Sequence, residues 1–372
     1  MSLRLRTITR EEHLAFISKR PSASHMQVPS WGQVKSEWRT ESIGWFDDSG
    51  EQVGAGLVLY RQLPKLKRYL AYLPEGPVID WFDRDLDQWL EPMLAHLKSQ
   101  GAFSVKMGPP VVIRRWDAPT IKEAIAGKQA KRLRDVEPDW YEPRAFEVAD
   151  RLRKAGWLQG EDGGAGFGDV QPRYVFQVPL GNRSLDDVQR GFNQLWRRNI
   201  KKAEKSGVEV FQGSYEDLPV FHQLYLVTAV RDHFTPRPLA YFERMWKALA
   251  AEGPDRMRLY IACHEGEPLA ATTMLTVGEH VWYSYGASAN HKREVKPSNA
   301  IQWRMMRDAY ALGGTVYDLR GISDTLEEDN HLFGLIQFKL GTGGQAAEYL
   351  GEWDFPLNKL LHKALDLYMS RR

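Results

Sequence analysis

The sequence is poor in the residue types that most often announce a chemistry. It contains one cysteine, Cys263, which excludes a disulfide framework and a multi-thiolate zinc site. No run reaches the roughly 18 consecutive apolar residues of a membrane-spanning helix. The opening "MSLRLRTITREEHL" carries charge without an apolar core, so it does not read as a signal peptide. Net charge is scarce too: 50 Lys and Arg stand against 48 Asp and Glu, a formal +2 over 372 residues. Affinity for a polyanion must therefore come from local patches. The 10 histidines form no HExxH pair and no triplet resembling a metal site. No GxSxG elbow occurs, and Cys263 sits in an apolar strand without a local base, the setting of a buried, inert thiol. No metal and no cofactor is implied. These absences leave a soluble, cytoplasmic globular chain, 43% hydrophobic and 26% charged, long enough for two domains.

What is present is one plan used twice. "WFDDSGEQVGAGLVLY" (45–60) reads as strand, tight turn, strand, with Asp48, Ser49 and Gly50 at the turn. "RLYIACHEGEPLAATTMLTV" (258–277) has the same form around Glu265, Gly266 and Glu267. Each is followed by an aromatic strand, "RYLAYLPEGPVID" or "HVWYSYGAS", then by a helix, a glycine and another strand. Those later parts are "LDQWLEPMLAHLKSQGAFSVKMGPP" (86–110) and "AIQWRMMRDAYALGGTVYDLRG" (300–321). Trp89 matches Trp303 and Gly101 matches Gly314, at offsets of 214 and 213, so the chain reads as a duplicated α/β unit. Between the copies, 144–156 is expected to be a helix ending at Gly156. Residues 184–207 read as one helix, capped by Ser184 with Asp187 and closed by Gly207. "FPLNKLLHKALDLYMSRR" reads as a C-terminal helix. The domain boundary is expected at 147/148.

Several local motifs invite a sharper reading. "GGAGFG" (163–168) looks like a dinucleotide loop, but Asp169 and Pro172 lead on into a strand-like "RYVFQVPL" where a helix would be needed. A flexible loop near a site fits it better. In "FGLIQFKLGTGG" (333–344), Lys339 precedes its glycines and is followed by Leu340, the reverse of a P-loop. Taken alone, that segment reads as a strand end with its lysine in solvent. "LWRRNIKKAEKSG" (195–207) carries Arg197, Arg198, Lys201, Lys202 and Lys205 against one Glu204, with 197, 201 and 205 on one helical face. Such a run is either a solvated face or an anion- or nucleic-acid-binding one. "RQLPKLKRYL" (61–70) is a weaker basic cluster. In "FTPRPLAYFERMW" (234–246), Pro236 and Pro238 fix Arg237 just ahead of a helix. A guanidinium there suits bidentate capture of phosphate or carboxylate, or is simply an exposed arginine at a helix start. "PSWGQVKSEW" (29–38) places Trp31, Lys35 and Trp38 at helical spacing, with the lysine beside two indoles.

The segments "WGQVKSEW", "YLPEGPVID", "RRNIKKAEKSGVEV", "PRPLAYFERM", "WYSYGAS", "TVYDLRGIS" and "FGLIQFKLGTGGQAAEYLGEWD", in that order and over nearly the whole chain, resemble the FemABX family. These are peptidyltransferases that build peptidoglycan cross-bridges from aminoacyl-tRNA, and the character here is closest to an actinobacterial FemX type. The resemblance implies an α/β chain of two tandem GNAT-like domains, with the tail from about 349 returning to the first. A cleft between the domains would hold UDP-MurNAc-pentapeptide or lipid II. Lys35 and Arg237 match contacts to the diphosphate; Trp38, Phe103, Thr235, Tyr241 and Tyr285 fall at neighbouring substrate positions. Phe338 and Lys339 match a Phe-Lys pair at the tRNA-facing channel, with the glycines leaving room for the CCA end. Arg197, Arg198, Lys201, Lys202 and Lys205 are then candidates for the tRNA. The implied state is a monomer that approaches the inner membrane face transiently.

Two features depart from the family pattern. "VKMGPP" has Gly108 where relatives often carry an acid, and "KKAEKSGVEVFQGSYEDL" runs on without the long helical hairpin of some relatives. The implied reaction is acyl transfer of an amino acid, glycine by the resemblance, from the tRNA 3′ ester to the side-chain amine of stem-peptide residue three. An activated ester needs alignment and oxyanion stabilisation rather than an enzyme nucleophile, and Lys339 is the expected donor. No general base stands out. The rival readings are an aminoacyl-tRNA-dependent ligase of natural-product biosynthesis, a non-catalytic tRNA- or precursor-binding module, and an acetyl-CoA-dependent GNAT. The last lacks its pyrophosphate loop, since "HKREVKPSNAIQW" stands in that place.

Overall fold

A computed structural model describes residues 3–128, 130–160 and 169–369, so the "GGAGFG" segment lies outside the described residues. The chain divides into two compact units: residues up to 115, 138–174 and from 347 onward, and residues 116–137 with 175–346. In chain order, β1 (Arg4–Thr7), α1 (Arg10–Ser18) and α2 (Trp31–Val34) precede β2 (Arg39–Phe46), β3 (Gln52–Gln62) and β4 (Tyr69–Leu73). Then come α3 (Asp87–Ser99), β5 (Ala102–Met107), β6 (Val112–Asp117), α4 (Ala118–Gly127), β7 (Trp140–Tyr141), α5 (Pro143–Lys154) and β8 (Leu158–Gln159). Strand β9 (Tyr174–Pro179) leads to α6 (Leu185–Gly191), α7 (Gln194–Lys205), β10 (Val208–Gly213), α8 (Leu218–Arg231) and α9 (Leu239–Ala250). The second repeat is β11 (Met257–His264), β12 (Glu267–Val277), β13 (His280–Ser288), α10 (Pro297–Ala311) and β14 (Val316–Gly321). The chain closes with α11 (Phe333–Leu340), β15 (Gln345–Tyr349), β16 (Trp353–Pro356) and α12 (Lys359–Met369).

The duplication is visible as a shared module. An antiparallel hairpin, β2–β3 or β11–β12, is followed by a parallel pair, β4–β5 or β13–β14, joined through a crossover helix. The second hairpin turns on Glu265 and Gly266, both left-handed at φ 53° and 77°. The crossover helices α3 and α10 each end in a left-handed glycine, Gly101 at φ 87° and Gly313 at φ 80°. The structural partner of Gly101 is therefore Gly313, one residue before the Gly314 of the sequence match.

The first unit's sheet has the order β1-β2-β3-β4-β5-β16-β8. Its core gathers Trp45, Tyr60, Trp89, Met93, Leu97, Val105 and Trp353, and the Trp45 indole donates to the Trp89 carbonyl at 2.8 Å. Ala145, Val148, Ala149 and Leu152 of α5 belong to that same core. The whole helix therefore stays with the first unit, whose segment 138–174 spans the 147/148 boundary read from the sequence, while 116–137 group with the second unit. Strand order in the second unit includes β10-β11-β12-β13-β14-β9, with Phe176, Tyr260, Met305, Met306 and Tyr317 buried around it.

Two helices differ from expectation. Residues 184–207 form α6 and α7, because Phe192 turns extended (φ −66°, ψ 142°) to bury its ring and Asn193 then caps a new helix by accepting the Trp196 N–H. Ser184 caps α6 with Asp187 in a capping box, as its sequence suggested. Helix α2 is a single turn that stops at Val34, so Trp38 does not share a helical face with Trp31. No described helix is long and apolar enough to cross a membrane.

Candidate functional site

Lys339 is neither at a strand end nor in solvent. It lies in the last turn of α11 and is 3% exposed. Its Nζ donates to the Gly321 carbonyl at 2.6 Å and the Arg320 carbonyl at 3.2 Å, at the end of β14. An ammonium has three N–H groups, so one has no partner among the described residues. Burial pushes this lysine down to about 7, with Arg320 adding to the effect and Asp318 opposing it. Near neutral pH it is thus a mixture of ammonium and amine.

The turn that grips Lys339 is built by Asp318. Its Oδ1 accepts the Arg320 N–H at 2.6 Å, while Arg320 sits left-handed at φ 61°. Its Oδ2 accepts from Gln177 Nε2 at 3.0 Å and faces His280 Nε2 at 3.2 Å. Burial opposes ionisation of this carboxyl, yet the contacts with His280, Arg320 and Gln177 hold it below the usual carboxylate range. The sequence carries no local signal for these partners: a lone Asp inside a strand such as "TVYDLRG" signals nothing until its neighbours are known.

The glycines after Lys339 are there for packing. A Cβ at Gly341 would lie 2.0 Å from Trp196 Cδ1; one at Gly343 would lie 2.0 Å from the Gly191 carbonyl oxygen; one at Gly344 would lie 2.3 Å from the Gln177 oxygen. The space expected to admit a CCA end is occupied by α7, the end of α6 and β9. Trp196 also packs against Phe338, with ring centres 4.8 Å apart and planes inclined at 48°, and donates its indole N–H to the Phe338 carbonyl at 2.8 Å. The Asn193 N–H donates to the Gly341 carbonyl at 2.8 Å. Phe338 therefore faces an indole and is only partly exposed.

Also in the second unit, Arg237 is exposed just before α9, with its guanidinium 5.3 Å from the Tyr241 ring centre. The Tyr241 and Tyr285 hydroxyls are 3.1 Å apart, and Tyr285 stands edge-on to Phe242 at 5.1 Å and Tyr225 at 6.1 Å. The Arg237 carbonyl lies 3.0 Å from His222 Nε2. Thr235 is exposed on the same approach to α9. The structure thus brings Arg237, Tyr241 and Tyr285 together around a cluster of rings.

In the first unit, Lys35 follows α2 and its Nζ is 5.6 Å from the Trp31 ring centre. Trp38 is half-buried, 6.4 Å from Tyr72 and with the Arg61 guanidinium 5.8 Å from its ring centre. Phe103 does not fit a ligand-facing role: it is 1% exposed in β5 and packs as a core side chain. A Cβ at Gly108 would lie 3.6 Å from Glu352 Cγ, so a carboxyl side chain does stand beside that position. Glu352 is 2% exposed, accepts from the Tyr72 hydroxyl and the Val170 N–H, and is pushed up to about 7 by burial. The Tyr72 bond and the Lys106 charge act against that rise.

Helix α7 buries Trp196, Ile200 and Ala203 and exposes Arg197, Arg198, Lys201, Lys202 and Lys205. Among the described residues none of the five forms an ion pair. From Lys205 the chain passes through left-handed Gly207 (φ 75°) straight into β10, with no inserted arm. Cys263 is half-buried in β11, and burial pushes its thiol up. Among the described residues no three His, Cys, Asp or Glu side chains group as metal ligands would.

Two units, each an antiparallel hairpin followed by a parallel pair with a crossover helix, define the class of tandem GNAT-like α/β proteins. A tandem GNAT protein from the clavulanic acid biosynthesis pathway shares this fold at a TM-score of 0.52 and 11% identity, over 96% of this chain and 99% of that one. A crystal structure of FemX superposes at a TM-score of 0.79 and 22% identity, over 97% of this chain and 99% of that one. The chain belongs to the FemAB family, whose family model matches residues 8–265 and 255–369. Among its curated relatives is a lipid II:glycine glycyltransferase of Staphylococcus epidermidis, 24% identical over 434 residues, covering 98% of this chain and 95% of the relative. The protein of that description from Staphylococcus aureus is likewise 24% identical, over 432 residues.

Proposed function

We propose that this protein is an aminoacyltransferase that moves glycine from glycyl-tRNA to the residue-three side-chain amine of a peptidoglycan precursor. The observation that carries the reading is Lys339: a buried cation fixed by two carbonyls, with an N–H left over. It stands in a chain whose full-length relatives are lipid II:glycine glycyltransferases.

In the proposed reaction the amine nitrogen attacks the ester carbonyl of the aminoacyl-tRNA. The C–N bond forms, negative charge collects on the former carbonyl oxygen, and the Lys339 ammonium stabilises it through its free N–H. Collapse breaks the bond to the ribose 3′ oxygen, which takes up the proton released by the amine. The ester is already activated, so no enzyme nucleophile is needed. Arg237, exposed beside Tyr241, Tyr285 and Thr235, is proposed for the precursor's diphosphate, a group that suits a guanidinium fork. For Lys35 and Trp38 a precursor-binding role rests on the family resemblance alone. The cations of α7 are proposed for the tRNA backbone.

An acetyl-CoA-dependent reading fits less well. Where a pyrophosphate loop would open α10, Lys292 is tied to Glu265 and Glu267, and Lys296 is left-handed at φ 61°. The deciding experiment is incubation with labelled aminoacyl-tRNAs and either lipid II or UDP-MurNAc-pentapeptide. A precursor that gains the mass of one glycine residue is the expected result. If neither gains an aminoacyl group from any tRNA, the reading fails.

A further inference from the structure

We propose that Asp318 is a positioning residue for Lys339, holding the turn whose carbonyls grip the lysine's ammonium. The kinetic part of this proposal rests on the aminoacyl-transfer reading above; its effect on the lysine itself does not. Arg320 adopts a left-handed conformation, φ 61°, that residues with a Cβ rarely choose. The Asp318 Oδ1 bond to its N–H at 2.6 Å holds it there. That turn sends two successive carbonyls, Arg320 and Gly321, to the same Nζ. The second carboxylate oxygen is engaged by Gln177 of β9 and faces His280 of β13, whose ring stacks on Trp282 at 4.1 Å. Three strands therefore converge on one carboxylate, which cannot rotate away from the turn without leaving a buried acceptor unpaired.

A carboxylate at 1% exposure is costly unless it is paired. Here it faces Gln177, His280 and the Arg320 amide, and lies in the field of Arg320, Lys339 and its neighbour Tyr317. Its charge favours the ammonium form of Lys339 against the effect of burial and of Arg320. Asp318 thus supplies both a geometry and a field, and the two can be separated by substitution. Asp318→Asn keeps the size and loses the charge. Asp318→Glu keeps the charge and displaces the carboxylate from the Arg320 N–H.

The test is an NMR titration of the lysine side chains in the full-length protein, with the Lys339 signal assigned by its loss in Lys339→Met, alongside single-turnover transfer kinetics. In Asp318→Asn the Lys339 midpoint is expected to fall by half a pH unit or more, the transfer rate to drop at least tenfold, and the precursor KM to stay put. In Asp318→Glu the midpoint should return toward the wild-type value while the rate stays low. An unmoved midpoint in Asp318→Asn overturns the proposal, as does full turnover in Asp318→Glu. Should both variants fail to fold, His280→Phe, which keeps a ring over Trp282 and the Asp318 charge but removes one of the carboxylate's partners, must lower the transfer rate while the Lys339 midpoint holds or rises. Full turnover there, or a midpoint that falls, also overturns it. If the wild type transfers nothing to any precursor, the reading of function fails and the titration still decides the role of Asp318.

Discussion

At the scale of single residues, Lys339 combines burial with incomplete satisfaction, which is the arrangement an oxyanion donor needs. Removing one such donor typically costs ~3–4 kcal/mol in the transition state, so Lys339→Met is expected to lower single-turnover transfer by roughly 100-fold or more with precursor binding kept. The value of about 7 gives the sign of a pH effect. The ammonium is lost as pH rises through that value, so the wild-type profile should carry a falling limb there, and the residual activity of Lys339→Met should lack it. Arg237→Ala and Lys35→Ala are each expected to raise the precursor KM roughly tenfold or more, the worth of one charge-assisted bond to an anion, with kcat little changed. Unaltered KM in both would remove them from the binding site. Lys339 and Arg237 stand out in the sequence through their local frames, glycines in one case and two prolines in the other. The glycine frame alone reads as a strand end in solvent, however, and the role proposed for each residue comes from the family resemblance. Asp318, Gln177 and His280 do not stand out, because they come from three separate strands and meet only in the folded unit. Phe103 misled for the converse reason: strand position does not reveal which face of β5 is covered.

Elements were legible where their signals are local. Hairpin turns, the Ser184 capping box and the crossover helices follow from residues within a few positions of each other. Helix α11 was not, because "FGLIQFKL" is apolar nearly all round and too short to show a helical period. The break between α6 and α7 was hidden for another reason, since the burial of Phe192 against Trp196 and Trp303 at 5.5 and 5.4 Å is a tertiary event. Those contacts give a test of the glycine turn. Gly341→Ala needs no unusual backbone angle, its φ being −61°, but the added methyl overlaps the Trp196 indole. A loss of about 1–3 kcal/mol in stability is expected, read as a lower melting temperature, together with reduced transfer because α11 carries Lys339. A variant as stable as wild type would mean that Trp196 can move aside freely.

For the molecule as a whole, two readouts follow. The first is electrostatic. Replacing Arg197, Lys201 and Lys205 together with alanine should weaken tRNA binding and reduce the slope of log affinity against log salt by roughly 2–3; an unchanged slope would assign α7 to solvent. The second concerns stability and pH. Glu352 has a folded-state value near 7 against an ordinary 4.5, so its contribution is fully present below about pH 4.5 and is lost as pH rises through 7. Glu352→Gln should match the wild type near pH 4.5 and exceed it by up to about 3 kcal/mol at pH 8, as seen in melts at both values. Equal pH dependence in the two proteins would count against a buried, protonated Glu352. Glu352 immediately precedes β16, and the place of that strand has a consequence for biosynthesis. Residues 353–356 pair with β5 on one side and β8 on the other, and Trp353 is wholly buried in the first core. The N-terminal half of the polypeptide therefore leaves the ribosome with a gap in its sheet that only residues made some 200 positions later than β8 can fill. The first unit's sheet is thus completed only after residue 346, the last of the second unit, has been made, so the domain that starts the chain cannot finish folding before the other has been synthesised.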